Sequence, residues 1–320
     1  MPRWTAADIP ALTGRHAVVT GANSGLGFHT ALELARHGAD VTLAVRDRTK
    51  GEASLAALGA QLAGTDAPGA LEVADLDLAS LESVRAFADA LVTSGRDLHL
   101  LVNNAGVMAI PRRETADGFE MQLGTNHLGH MALTLRLLPA LARTGSAGAP
   151  SRVVTVASGA HRMGRIDLDD LMGERSYRPW RAYGQSKLAN LLFAFELQRR
   201  LDALGLPVGS YAAHPGYAST NLQTVGPQMR GSSVGVWLAR RGNALLGQSA
   251  AMGALPTLYA ATVVGLAPGS YVGPDGFLEQ RGHPRVVSTS DAARDESMAA
   301  ALWSRSEMLI GIGLDDVTTS

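Results

Sequence analysis

The sequence predicts an α/β protein, a doubly wound parallel sheet with helices on both faces. Three observations predict it. Short β-branched apolar runs alternate with helical patterns, a glycine-rich turn joins the first run to the first helix, and no linker divides the 320 residues. Parallel strands need long crossovers, and helical stretches between strands supply them. One domain over 1–320 is expected.

The elements follow in order. "HAVVT" (16–20), "DVTLAV" (40–45), "LHLLVNN" (98–104), "SRVVTVAS" (151–158) and "PVGSYAAH" (207–214) read as strands, with a weaker one in "ALEVADLDL". Helical patterns occupy "GLGFHTALELARHG", "SLESVRAFADALVTSG" and "SKLANLLFAFELQRRL". "RTGSAGAPS" is a loop by its turn residues. The apolar, glycine-punctuated region of about 217–247 is expected to form a substrate lid, and about 273–320 a C-terminal extension. The lid's apolarity also fits simple packing.

Composition excludes several function classes. Hydrophobic residues make up 46% and charged residues 18%, a globular balance, and the net charge of -1 gives nucleic acid no clustered positive field to bind. Cysteine is absent, which removes disulfides, thiolate catalysis and cysteine metal sites. His127, His130 and His161 are scattered among small and apolar residues, a poor ligand set for a metal. The N-terminal stretch has no signal-like apolar run, and Arg240 and Arg241 interrupt the longest later one. A cytoplasmic protein without a membrane anchor is expected.

Two local patterns carry chemistry. In "VVTGANSGLGFHTALELA", Gly21, Gly25 and Gly27 sit where a strand meets a helix. Glycine allows a tight turn and close backbone approach, and a helix's positive end suits a pyrophosphate. The spacing is G-x-x-x-G-x-G rather than G-x-G-x-x-G, and alone it also fits a plain turn. Second, Tyr183 and Lys187 in "YGQSK" lie one helical turn apart, in a chain whose only other lysine is Lys50. Positions i and i+4 share a helix face. An ammonium and the helix start would both favour the phenolate, lowering the phenol from its ordinary pKa of about 10.

With "TGANSGLG" at 20–27, "NNAG" at 103–106, the asparagine of "TNHLGH" at 126, "VVTVAS" ending in Ser158, and "YGQSK", the chain resembles the short-chain dehydrogenase/reductase family over about residues 14–222. "GFLEQRGHP" and "ALWSRSEML" further resemble its retinol-dehydrogenase-like and WW-domain-oxidoreductase-like branch. Ala157 departs from the serine many members carry before the catalytic one.

The resemblance implies a Rossmann-type fold and a set of roles. Ser158 would stabilise substrate oxygen, Tyr183 would be the acid/base, and Lys187 would lower its pKa and bind the nicotinamide ribose. Asn126 would hold a relay water. The cofactor site would comprise Gly21, Asn23, Ser24, Gly25, Leu26, Gly27, Arg46, Asp77, Leu78, Asn104, Ala105, Gly106, Tyr183, Lys187, Pro215, Gly216 and Thr220. Asp77 would meet the adenine edge, with a helix cap as its rival role and Asp75 as the rival residue. Thr220 would hold the carboxamide. Val45 stands where an acid would select NAD, and Arg46 follows, with Arg48 nearby; an arginine fork suits a 2′-phosphate, so NADP is expected and NAD is the alternative. A surface arginine and the neighbouring Asp47 weigh against that reading.

The expected partner is a small lipophilic carbonyl or alcohol. A dinucleotide sensor without catalysis is the competing reading, and the full Asn126–Ser158–Tyr183–Lys187 set argues against it. G-x-S-x-G is missing, so Ser158 and His161 do not read as a hydrolase elbow. The long Ser158–Tyr183 interval could cover a helical face used for association, which leaves monomer and homo-oligomer both open.

Overall fold

The computed structural model of the protein describes residues 3–218 and 248–318. Thr220 and nearly all of the expected lid lie outside them. Eight strands form one sheet in the order β3-β2-β1-β4-β5-β6-β7-β8. They are β1 (His16–Thr20), β2 (Asp40–Val45), β3 (Leu71–Asp75), β4 (Leu100–Asn103), β5 (Ser151–Val156), β6 (Val208–Ala213), β7 (Tyr271–Pro274) and β8 (Pro284–Val286). All pairings are parallel except β7 with β8.

The central strands β1, β4 and β6 are buried along their whole length, as apolar strands covered on both faces must be. Two apolar cores result. One lies under α1 (Gly25–Arg36), α2 (Arg48–Leu62) and α6 (Ala250–Thr262), through Leu34, Leu58 and Leu258. The other lies under α3 (Leu81–Thr93), α4 (Gly129–Thr144), α5 (Pro179–Leu204) and α7 (Glu296–Ile310), through Phe87, Leu133, Leu191 and Trp303. A last turn of helix, α8, spans Leu314–Thr318.

The six strands read from the sequence are present, most ending a residue or two inside the apolar run. The sequence reading missed β7 and β8. Both are short, and β8 has only Pro284 buried, so neither shows the β-branched alternation that marks a strand. They continue the sheet inside what reads as an extension.

Strand order reverses between β1 and β4, so the connections after these strands leave in opposite directions. That opens a crevice at their carboxyl ends, the usual ligand position in such sheets. The Ser158–Tyr183 interval packs on the start of α5, where a Cβ on Gly184 would lie 3.1 Å from the Ala160 carbonyl. The middle of α5 is covered by α7 instead, with Phe193 stacked on Trp303 at 5.7 Å.

Candidate active site

The crevice is shaped by missing side chains. Gly21 turns the chain at φ +65°, and a Cβ there would sit 3.0 Å from the Ala105 Cβ. A Cβ on Gly27 would lie 2.5 Å from both Asn104 Nδ2 and the Gly21 carbonyl. The glycine turn and the "NNAG" turn are therefore pressed together, and Thr20 binds them. Its Oγ1 accepts the Asn104 and Ala105 N–H groups, each at 2.9 Å, while Asn104 Nδ2 donates to the Thr20 carbonyl at 2.8 Å.

Most residues expected to hold a dinucleotide line this one cleft: Gly21, Asn23, Ser24, Gly25, Leu26, Arg46, Asp77, Leu78, Asn104, Ala105, Gly106, Pro215 and Gly216, together with Ser158, Tyr183 and Lys187. Gly27 and Asn126 stand behind the wall. Asp77 keeps its place in the cleft and does not cap α3. It accepts the Ala79 N–H at 3.0 Å, and Ser80 provides the cap by accepting from Ser83 N. Asp75 and Arg48 do not line the cleft; they form an exposed ion pair at 2.9 Å. Asp47 caps α2 and pairs with Lys50 Nζ at 3.0 Å, so its charge beside Arg46 is compensated. Lys50, Thr125, Trp180 and Tyr217 also line the cleft, unanticipated because nothing in their local sequence marks them.

On the opposite wall, β5 ends at Val156 and Ser158 caps the following 3₁₀ turn, its Oγ accepting the Ala160 N–H at 3.2 Å. Tyr183 and Lys187 sit on the buried face of α5, 5% and 4% exposed. Lys187 Nζ donates to the Val156 carbonyl at 3.0 Å and lies 5.9 Å from the centre of the Tyr183 ring. Among the described residues no carboxylate pairs with the ammonium, and burial brings its pKa down to about 8.

The expected lowering of the Tyr183 phenol does not occur in the chain by itself. Burial pushes it up to about 12, against a hydrogen bond with Ser158 that acts the other way. Tyr183 is the fifth residue of its helix, past the first turn where the positive end acts most strongly. Desolvation wins, and the phenol stays protonated at neutral pH.

Asn126 occupies a π-turn, Gly124–Leu128, leading into α4. Its side chain is fully buried; both amide hydrogens are spent, on the Val107 carbonyl at 3.0 Å and Ser186 Oγ at 2.9 Å. Oδ1 accepts the Val107 N–H at 2.8 Å and keeps one lone pair. A Cβ on Gly106 would lie 2.9 Å from that Oδ1 and 3.6 Å from Lys187 Nζ. Gly106 thus keeps open the space between the asparagine oxygen and the lysine.

The sheet crevice, the glycine cradle and the Ser–Tyr–Lys wall define a dinucleotide-dependent oxidoreductase. Comparison with known proteins agrees. The short chain dehydrogenase model matches residues 15–230. Over 314 residues the chain is 43% identical to polyprenol dehydrogenase of Mus musculus, covering 96% of this chain and 87% of that one. It is 40% identical to human retinol dehydrogenase 11 over 304 residues, 95% of this chain and 88% of the relative. An uncharacterized protein from Mycobacterium Paratuberculosis superposes with a TM-score of 0.78 at 46% identity, over 98% of this chain and 99% of that one. A protein from Beutenbergia cavernae solved with bound NADP superposes at 0.60 and 26% identity, over 82% and 95% of the two chains. This chain belongs to the short-chain dehydrogenase/reductase family, in its retinol-dehydrogenase-like branch, and is an oxidoreductase of the type that uses NAD or NADP.

Among the described residues no helix is long and apolar enough to cross a membrane, and no group of side chains could hold a metal ion.

Proposed function

We propose that this protein is an NADP(H)-dependent carbonyl reductase or alcohol dehydrogenase acting on a lipophilic substrate, working in the cytoplasm. The observation that carries the reading is the open space at Gly106. It joins Asn126 Oδ1 and Lys187 Nζ on the side of the cleft where Ser158 and Tyr183 face the same volume.

The glycine turn fits a pyrophosphate, because its backbone is bare where a Cβ would collide. Arg46, with Asp47 neutralised by Lys50, supports a 2′-phosphate over a ribose hydroxyl. Asp77 would meet the adenine edge, and Lys187 the nicotinamide ribose. The bound cofactor supplies or accepts the hydride. Tyr183, kept protonated by burial, starts in the right state to donate its proton to a carbonyl oxygen. Ser158 offers a hydroxyl donor to that oxygen, and its strand-end position holds it still. Lys187 then returns a proton toward the phenolate, with Asn126 and the space at Gly106 providing the path to solvent. The names of the relatives, a polyprenol and a retinol dehydrogenase, support a lipophilic alcohol or its carbonyl.

A panel of long-chain and polyene aldehydes assayed with NADPH and NADH tests the reading. Tyr183→Phe should keep NADPH binding and lose turnover by at least about a hundredfold, the scale of a lost general acid. Hydride exchange with no member of the panel would favour a dinucleotide sensor instead.

A further inference from the structure

Outside the four residues assigned to catalysis, two buried histidines reach the cleft from behind. His161 follows Ser158 in the 3₁₀ turn, and His214 follows β6; they are 1% and 2% exposed. Among the described residues neither joins a group that could hold a metal ion.

Donor and acceptor counting assigns a tautomer to each. His161 Nδ1 lies 2.7 Å from the Ser158 carbonyl, which can only accept, so Nδ1 carries the hydrogen. Its Nε2 is then the acceptor for the Ser290 N–H at 3.3 Å. His214 is arranged the other way round. Its Nδ1 receives the Gly216 N–H at 3.3 Å, so Nε2 carries the hydrogen; Glu279 Oε2 lies 3.1 Å from that nitrogen, at an angle too oblique for a hydrogen bond. Each ring therefore has one nitrogen on the main chain of the cleft and the other on the C-terminal segment. Tyr271 stands between them, its ring 5.7 Å from His161 and 5.2 Å from His214.

The C-terminal side is built to receive these rings. A Cβ on Gly273 would lie 2.0 Å from His214 Nε2, so only glycine leaves room for the imidazole. Leu278 and Glu279 both adopt positive φ, 50° and 56°, a strained conformation that persists only where surroundings impose it. The Glu279 carboxylate lies 3.1 Å from His214 and 3.4 Å from Arg162. Arg162 also donates to the Ser288 carbonyl at 3.1 Å, and Tyr217 N–H to the Gln280 carbonyl at 2.7 Å.

We propose that His161 and His214 are positioning residues. Each imidazole fixes one main-chain group of the cleft, the Ser158 carbonyl or the Gly216 N–H, from an anchor in the 271–290 segment. This rests on the functional reading above, in which Ser158 serves the substrate oxygen and the Pro215–Gly216 turn serves the cofactor. A displacement of about 1 Å at such a group is enough to cost on the order of a hundredfold in rate. The C-terminal strand pair is by this account part of the catalytic apparatus.

The test cuts each strut at its far end in the full-length protein. His161→Asn and His214→Asn retain an amide near the Nδ1 position but cannot reach Ser290 or Glu279. NADPH affinity is read by fluorescence titration, turnover with the best aldehyde of the panel, and folding by thermal unfolding. His161→Asn should lower kcat about tenfold or more with NADPH Kd within about twofold. His214→Asn should raise the NADPH Kd about fivefold and lower kcat as well. Glu279→Ala should reproduce the His214→Asn loss, and Glu279→Gln, which still offers His214 an acceptor, should recover most of it. Asparagine variants with wild-type kcat and Kd, or equal behaviour of Glu279→Ala and Glu279→Gln, would overturn the proposal. If the asparagine variants do not fold, the Glu279 pair decides. If wild-type protein turns over none of the aldehydes, the functional reading and the role of His161 fail with it, and the NADPH affinities of the His214 and Glu279 variants decide the positioning role of His214.

Discussion

At Lys187 one side chain is held in a state that costs stability. Its ammonium is buried without a counter-charge among the described residues, and its pKa of about 8 lies below the ordinary lysine value. A base whose folded pKa is depressed penalises the fold wherever it is charged: fully below the folded pKa, and less as pH rises toward the unfolded one. Lys187→Met should therefore lose turnover yet be more stable than wild type at pH 7, by on the order of 3 kcal/mol. Asn190 would still satisfy the Val156 carbonyl that Lys187 leaves. The advantage should shrink above about pH 8 and vanish near the unfolded lysine pKa. Denaturant titrations at pH 7 and pH 10 measure both points, and an equal difference at the two would refute the assignment of the cost to charge. Gly106→Ala tests the neighbouring space. Its methyl group would crowd Asn126 Oδ1, so kcat should fall about tenfold or more with little change in melting temperature. Unchanged turnover would remove the proton path from the mechanism.

Among the elements, the turn between β2 and α2 and the turn before α4 decide most. The first presents Arg46 to the cleft while Asp47, Arg48 and Lys50 are occupied with one another, with Asp75 or with Glu52. Arg46→Asp should weaken NADPH by about tenfold or more and spare NADH, since a like charge would replace a phosphate partner. Titration of both reduced cofactors checks it; a constant affinity ratio would mean that Arg46 does not meet the phosphate. The second turn is a π-turn, a form that recurs at functional sites because one extra residue re-aims its neighbours. Two fully buried histidines flank Asn126 there. His130 joins the Asn126 carbonyl to Thr20 at 3.0 and 2.9 Å, and His127 reaches Ser306 of α7 at 2.9 Å. Burial holds both far below the usual histidine range, at about 3 and about 4 for His127 and His130, so neither is charged in the working pH range.

Over the whole molecule, the C-terminal region does more than extend the fold. Two of its strands complete the sheet, its loop braces the cleft, and α7 covers the middle of α5, the helix that carries Tyr183 and Lys187. Trp303 is the centre of that cover, stacked on Phe193 with the Arg200 guanidinium 4.6 Å from its ring. Trp303→Ala should cost about 3–5 kcal/mol of stability, as removal of a buried aromatic does. Chemical denaturation would measure it, and a loss under about 1 kcal/mol would show that α7 does not buttress α5.

The order of residues by itself determined the alternation of strands and helices, the bare glycine turn, and the Tyr183–Lys187 spacing. These are local properties, set by backbone geometry over one strand or one helical turn, and therefore legible in short windows. Which of Asp75 and Asp77 lines the cleft was not legible, because Asp75 meets Arg48 only once another element has arrived. The space at Gly106 and the struts at His161 and His214 were equally hidden. Each depends on at least one contact between residues about 20 to 130 positions apart along the chain, and those distances exist only after the sheet has closed. The protonation of Tyr183 ran opposite to the local expectation for the same reason. A sequence window shows the lysine nearby, but burial is contributed by the whole fold, and at this phenol burial outweighs the Ser158 hydrogen bond.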